Sequence, residues 1–211
     1  MARKRVAVLI SGRGSNMVAL IEAAKSASFP AEIVRVVSND PSAQGLERAA
    51  ASNIPTAVVD HRQFGKDREA FEHALQTELE AHGTELVCLA GFMRLLTPWF
   101  VTRWTERLIN IHPALLPELK GLHTHARALA EGRKWHGATV HFVVPAMDAG
   151  PIIRQARVPV LPGDTEQALA ARVLEVEHRI YPEALQLVAQ GRVRVVGDAC
   201  LVDGKPVETF A

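Results

Sequence analysis

Two polar side chains share one predicted strand in the middle of the chain. The run Leu108–His112 has the pattern of a strand, and Asn110 and His112 are two residues apart within it. Because side chains alternate along a strand, both face the same side, about 7 Å apart. Pro113 ends the strand, and ligands bind at the carboxyl ends of strands in open α/β sheets. An amide beside an imidazole could stabilise an oxyanion and donate a proton there; alternatively, both are ordinary hydrogen-bonded residues at a strand end.

An acidic turn farther along the chain could supply a carboxylate to this pair. Asp148 lies in the segment Met147–Pro151, between two predicted strands of the same half of the chain, and could reach His112. A carboxylate beside an imidazole favours the imidazolium and fixes its orientation. That arrangement suits proton donation or oxyanion stabilisation, whereas the alternative is that Asp-Ala-Gly-Pro is simply a turn sequence.

A third candidate site follows the first predicted strand. Small residues in Ser11–Asn16 lead directly into a predicted helix, where backbone N–H groups and the helix dipole favour a phosphate. Alternatively, Ser15 or Asn16 simply caps the helix. A nicotinamide cofactor is not expected, because Met17 stands where the dinucleotide fingerprint requires its third glycine.

The elements that must position these residues predict an α/β fold with a doubly wound, mostly parallel twisted sheet. Short β-branched runs alternate with helical patterns over the first ninety residues, which is typical of crossover connections. The predicted strands are Arg5–Ile10, Ile33–Ser38, Thr56–Asp60, Leu86–Ala90, Leu108–His112, Ala138–Val144 and Ile152–Val160. The predicted helices are Asn16–Lys25, Ala43–Ser52, Lys66–His82 and about Thr165–Gln190, the last capped by Asp164. Val193–Val196 and Cys200–Val202 predict a short hairpin or edge structure.

Composition narrows the class of protein. Lys and Arg number 24 against 23 Asp and Glu, so the strong positive charge typical of nucleic-acid binding is missing. The first apolar run, Val6–Ile10, is too short for a signal or membrane segment, which predicts a cytoplasmic protein. Cys88 and Cys200 are expected to be packing residues. His123 and His125 raise the question of zinc, but no ligand spacing supports a metal.

Four segments together resemble the phosphoribosylglycinamide formyltransferases, which belong to the folate-dependent formyltransferase family. They are Ser11–Asn16, Leu89–Arg94, Asn110–Pro117 and His136–Val143. The resemblance spans nearly the whole chain. It implies one formyltransferase domain over residues 1–211, with a Rossmann-like, phosphate-binding half at about 1–100 and a catalytic, folate-binding half at about 101–211.

The resemblance also implies a reaction and the residues that carry it out. A formyl group would pass from 10-formyltetrahydrofolate, acting as co-substrate, to the amine of 5-phosphoribosylglycinamide in purine biosynthesis. Asn110, His112 and Asp148 would be catalytic, with His112 as proton donor and Asp148 stabilising its protonated form. The implied acceptor contacts are Gly14, Ser15, Asn16, Leu174, Glu175, Val176 and Glu177, with Glu177 meeting the amine. The implied folate contacts are Arg68, Met93, Arg94, Leu95, Leu96, Asn110 and Val144 through Asp148, and Arg94 could pair with the glutamate tail.

Two positions depart from the family pattern, and three other functions remain open. Ala149 stands where glycine is common, which matters if that position needs a positive φ, and Leu119 replaces a residue that is often aromatic. A formyltetrahydrofolate hydrolase is expected to carry an additional N-terminal domain, and a methionyl-tRNA formyltransferase a C-terminal RNA-binding domain. A non-enzymatic sensor of a phosphorylated ligand would keep the Gly14 loop without using folate. The expected partners are small molecules, with no metal, nucleic acid or membrane, and the chain is expected to be a monomer or homodimer.

Overall fold

The computed structural model describes residues 2–210, which form two units. Contacts within the chain divide it into Met1–Asn110 and Ile111–Ala211. Seven strands form a mostly parallel sheet in the order β3-β2-β1-β4-β5-β6-β7, and three further strands form a separate small sheet. This confirms the predicted α/β fold class.

The first unit alternates strands with helices. Its strands are β1 (Lys4–Ile10), β2 (Ala31–Ser38), β3 (Thr56–Val58), β4 (Leu86–Leu89) and β5 (Leu108–His112), the last of which runs on into the second unit. Its helices are α1 (Ser15–Ala24), α2 (Gln44–Ala51), a 3-10 helix (His61–Phe64), α3 (Arg68–Ala81) and α4 (Pro98–Arg103). β1 pairs in parallel with both β2 and β4. Its residues Val6–Ile10 are completely buried, as expected for a central parallel strand with both faces covered.

The second unit packs a long helix on an antiparallel pair of strands. Its elements are α5 (Thr124–Ala130), β6 (Trp135–Phe142), β7 (Ile152–Pro159) and α6 (Glu166–Ala189), followed by β8 (Val193–Val196), β9 (Ala199–Val202) and β10 (Lys205–Pro206). β6 pairs antiparallel with β7, and α6 packs against both. The predicted terminal hairpin is confirmed as β8 and β9, to which β10 adds a third strand.

Two sequence predictions about local structure need correction, and three short helices were missed. Asp164 does not cap α6: the hydroxyl of Thr165 accepts the N–H of Ala168, whereas Asp164 accepts the N–H of Leu161 and two hydrogen bonds from Arg172. The strand predicted at 138–144 begins three residues earlier and ends at Phe142. The short helices α4 and α5 and the 3-10 helix were not predicted, because segments of four to seven residues hold too little periodicity.

No helix within residues 2–210 is both long enough and apolar enough to cross a membrane. Cys88 and Cys200 are both buried, as predicted for packing residues.

Candidate active site

The loop after β1 has the features of an anion site. Gly14, with φ 69°, is the N-cap of α1, and no side chain caps that end of the helix. The first N–H groups of a helix have no partner within the helix and carry the positive end of its dipole. The loop opens into a cavity of about 280 Å³, lined by Ser11–Asn16, Ala90, Gly91 and Met93. The three predicted phosphate-binding residues Gly14, Ser15 and Asn16 therefore lie together at one cavity.

Gly14 of this loop packs closely against Gly45 of α2. A side chain at Gly14 would bring its Cβ to 3.0 Å from the Cα of Gly45 in α2. A Cβ at Gly45 would lie 2.5 Å from Ile10 and 3.1 Å from the carbonyl oxygen of Gly12, which accepts the Gly45 N–H at 3.0 Å. Gly45 was not predicted as part of the site, because a glycine near a helix start gives no signal of what it packs against.

Of the residues predicted to bind folate in the first unit, Met93 lines the same cavity. The side chains of Met93 and Leu95 are 66% and 64% exposed, which is unusual for large apolar residues, while Arg94 and Leu96 are half-buried. Arg68, in the first turn of α3, donates from Nη2 to the carbonyl oxygen of Leu95 at 2.8 Å. Residues 93–96 thus form one segment whose apolar side chains at Met93 and Leu95 are exposed, and Arg68 lies beside it.

In the second unit, the predicted imidazole and carboxylate lie together. His112 is 5% exposed, and its Nδ1 lies 3.5 Å from Oδ2 of Asp148. Its other nitrogen, Nε2, is 3.0 Å from the carbonyl oxygen of Leu119, so Nε2 carries a proton and donates. Both ring nitrogens face acceptors, which is the environment that a doubly protonated imidazolium requires. The prediction that Asp148 reaches His112 is confirmed.

A second histidine, His141, lies near the same carboxylate but is not charged. His141 Nε2 lies 3.8 Å from Oδ1 of Asp148, and His141 Nδ1 is 2.9 Å from the carbonyl oxygen of Phe142. Burial lowers the pKa of the His141 imidazole well below its ordinary value, which outweighs the opposing effects of the Phe142 carbonyl and of Asp148. His141 is therefore neutral at neutral pH and does not neutralise Asp148.

Two backbone groups of the loop 113–121 complete this cluster. The N–H of Gly121 donates to Oδ2 of Asp148 at 2.9 Å, and the carbonyl of Leu119 faces His112. Leu119 has φ 51°, a left-handed conformation that is strained for a bulky residue. Such strain is typical of positions where the surrounding structure fixes the backbone for function. Sequence had marked Leu119 only as a departure from the family pattern.

The backbone does not require a positive φ at Ala149, where the family commonly has glycine. The left-handed residue of this turn is Asp148, with φ 48°, and Ala149 does not have a positive φ. Aspartate tolerates that conformation better than most residues, so glycine is not required at position 149. Val144 lies after the end of β6, half-buried in the loop that leads to Asp148.

The four predicted acceptor contacts of the second unit lie on α6. Glu177 is buried at 6% exposure on this helix, Leu174 and Val176 are half-buried, and Glu175 is exposed. Only Glu177 among them is a buried charge, and a buried carboxylate is uncommon without a partner or a function.

The histidines considered as zinc ligands have a different arrangement. His125 Nδ1 lies 3.1 Å from Nε2 of His136, whereas His123 is exposed at the start of α5. Burial lowers the pKa of His136 to about 4, so this pair is a hydrogen bond between neutral rings. Within residues 2–210, no three His, Cys, Asp or Glu side chains are grouped as metal ligands. The expectation that no metal takes part stays a prediction.

Comparison with known proteins assigns this arrangement to a family. The model of the formyl transferase family matches residues 4–185, most of the chain. The chain belongs to the formyl transferase family. Relatives that the chain matches over nearly their full length are formyltransferases, so the chain is classed as a transferase.

Named relatives of this formyl transferase agree with that assignment. The phosphoribosylglycinamide formyltransferase of Escherichia coli (strain K12) is 44% identical over 200 residues, which cover 95% of this chain and 94% of that protein. Glycinamide ribonucleotide transformylase 1 from Symbiobacterium toebii superposes with a TM-score of 0.92 at 44% identity, covering 95% of this chain and 94% of that one. The trifunctional purine biosynthetic protein adenosine-3 of Gallus gallus is 51% identical over 90% of this chain, which spans 19% of that protein's length.

Proposed function

We propose that this formyl transferase moves the formyl group of 10-formyltetrahydrofolate to the amine of 5-phosphoribosylglycinamide, a step of purine biosynthesis. The amine nitrogen attacks the formyl carbon and a tetrahedral intermediate forms. The bond from that carbon to N10 of the folate then breaks, and the proton lost by the amine is balanced by one gained at N10. The observation that carries the proposal is the buried pair of His112 and Asp148 in a chain whose full-length relatives have this acceptor in their names.

The acceptor's phosphate is assigned to the loop Ser11–Asn16, where helix N–H groups and a cavity are available. Its glycinamide end is assigned to the α6 residues Leu174, Glu175, Val176 and Glu177. The carboxylate of Glu177 is the group in that set suited to hold an amine.

His112 is assigned as the acid, acting through Nδ1. Its Nε2–H is committed to the Leu119 carbonyl, whereas the Nδ1 edge is 3.5 Å from Asp148, longer than an ordinary hydrogen bond. Nδ1–H is therefore available to a substrate oxygen or, through water, to N10. Asn110 supplies a second donor to the oxyanion, and the carboxylate of Asp148 lies beside the imidazole and orients it. No covalent intermediate on the enzyme is required.

The folate is assigned to the exposed segment around Met93 and Leu95 and to the loop from Val144 to Asp148. Flat heteroaromatic rings pack well on methionine and leucine side chains. Arg68 and Arg94 are the cations available in the first set for the carboxylates of the glutamate tail. A cytoplasmic location, a metal-free reaction, and a monomeric or homodimeric state belong to the same proposal, as does the absence of nucleic-acid and membrane partners.

The test follows folate product with and without the acceptor. We expect tetrahydrofolate to form from 10-formyltetrahydrofolate only when 5-phosphoribosylglycinamide is present, in equal amount to the formylated product. Release of formate without the acceptor would instead identify a hydrolase, and binding of the phosphorylated ligand without any turnover would identify a sensor.

Gly14→Val should selectively weaken use of the acceptor. Valine is strained at φ 69° and its Cβ would press on Gly45 at 3.0 Å, so the loop that holds the phosphate must move. We expect KM for 5-phosphoribosylglycinamide to rise at least about tenfold while the dissociation constant of the folate substrate changes little. Gly65→Val is the matched control, since Gly65 also has a positive φ but no atom near its Cβ position. Equal losses for both substrates would contradict the assignment.

A further inference from the structure

In the first unit, hydrogen bonds to the backbone of alternate residues hold the segment Gly91–Thr97 in place. The N–H of Met93 donates to the hydroxyl of Ser11 at 2.7 Å, and the carbonyl of Leu95 accepts from Arg68. The N–H of Thr97 donates to Oε1 of Glu72 at 2.6 Å. Every second residue from 93 to 97 is therefore anchored, and the side chains of Met93 and Leu95 stay exposed.

The strongest of these anchors is a buried carboxylate. Glu72 is 1% exposed, and besides the Thr97 N–H its other oxygen accepts the Thr97 hydroxyl. A buried carboxylate is costly unless its oxygens are hydrogen-bonded, and here both oxygens accept from Thr97, the N-cap residue that precedes α4. Arg68, Glu72 and Gln76 are four residues apart, so they share one face of α3. Gln76 continues the row by accepting the Trp104 indole N–H at 2.8 Å.

The other end of the segment is tied to the phosphate loop. Ser11 accepts the Met93 N–H, donates its own hydroxyl proton to Oδ1 of Asn39, and donates its backbone N–H to the carbonyl of Gly91. Asn39 is itself buried, and Nδ1 of His61 lies near both its side-chain amide and its backbone carbonyl oxygen. Ser11 therefore joins the segment to the cavity assigned to the acceptor.

We propose that Glu72 and Ser11 are positioning residues for the folate co-substrate: they fix the backbone of Gly91–Thr97 so that Met93 and Leu95 present an ordered apolar surface to its flat ring system. This inference rests on the proposed function, because it takes the folate to bind on that segment. Neither side chain touches the reacting atoms. Their contribution is to remove the entropy that a loose segment would lose on binding.

Steady-state kinetics of Glu72→Ala and Glu72→Gln test the proposal. Alanine leaves the Thr97 N–H without an acceptor, so KM for 10-formyltetrahydrofolate should rise about tenfold or more, with KM for the acceptor within about twofold. Glutamine can accept the Thr97 N–H and donate to its hydroxyl, so Glu72→Gln should restore KM to near the wild-type value. Arg35→Ala is the control for stability, since it breaks the Arg35–Glu78 ion pair on the same helix without touching the segment.

Amide hydrogen exchange tests the anchoring without any substrate. In the free protein, Glu72→Ala should speed exchange at Thr97, and Ser11→Ala should speed it at Met93, each at least about tenfold relative to wild type. An unchanged folate KM in Glu72→Ala, a matching rise in Arg35→Ala at equal thermal stability, or failure of Glu72→Gln to restore KM would overturn the inference. Wild-type turnover is measured first, so failure of the proposed function is recognised separately.

Discussion

Asp148→Asn should lower kcat by on the order of 10² to 10⁴ while leaving the fold intact. Asparagine keeps the size of aspartate and tolerates the left-handed backbone at φ 48°. It can still accept the Gly121 N–H, so the loop 113–121 keeps its anchor. What it loses is the negative charge 3.5 Å from His112. Without that charge, the positive charge on His112 when it acts as the acid is no longer stabilised, so the chemical step slows.

Amide hydrogen exchange at Gly121 separates this electrostatic role from turn-making. Asparagine keeps an acceptor for the Gly121 N–H, so exchange there should stay near the wild-type rate while kcat falls. His141 cannot replace the lost interaction, because burial lowers its pKa and keeps it neutral. The matched control is Asp203→Asn, which removes a carboxylate from the turn after β9, where it pairs with Arg192. A loss of rate accompanied by faster exchange at Gly121 would mean that Asp148 acts by holding the loop.

The elements that sequence predicted well are those with long, unambiguous patterns. β1 and β4 are apolar and buried where they cross the sheet, and α6 carries a hydrophobic stripe over 24 residues. The elements that sequence missed are short. α4 begins with Pro98 and depends on the buried Glu72, whose role no local pattern reveals, because Glu72 lies next to the apolar stripe of Phe71, Leu75 and Leu79.

In the candidate site, the pairing of side chains could be predicted from the sequence, whereas the backbone contacts could not. Pairing of His112 with Asp148 could be predicted, since a strand end and the turn after another strand of the same half can meet at one edge of a sheet. The carbonyl of Leu119 and the N–H of Gly121 could not, because any residue offers those groups and only the path of the loop aims them. The direction of each His112 nitrogen therefore needed the structure.

Asn110→Ala should lower the rate of the chemical step by on the order of 10² to 10³, the cost of one donor to a developing oxyanion. Asn110 is half-buried near the end of β5 and shares a strand face with His112 by alternation. Single-turnover measurements are needed so that product release does not hide the effect.

Asn110→Asp distinguishes oxyanion stabilisation from packing. Aspartate has nearly the same shape, so a residue that only fills space would tolerate it with a small change in rate. A donor to an oxyanion would not, because the carboxylate replaces the amide N–H with a negative charge that repels the developing charge. We therefore expect Asn110→Asp to be at least as slow as Asn110→Ala, with thermal midpoints near that of the wild type for both. If aspartate retains most of the wild-type rate while alanine loses it, Asn110 acts through its shape, and His112 alone must stabilise the oxyanion.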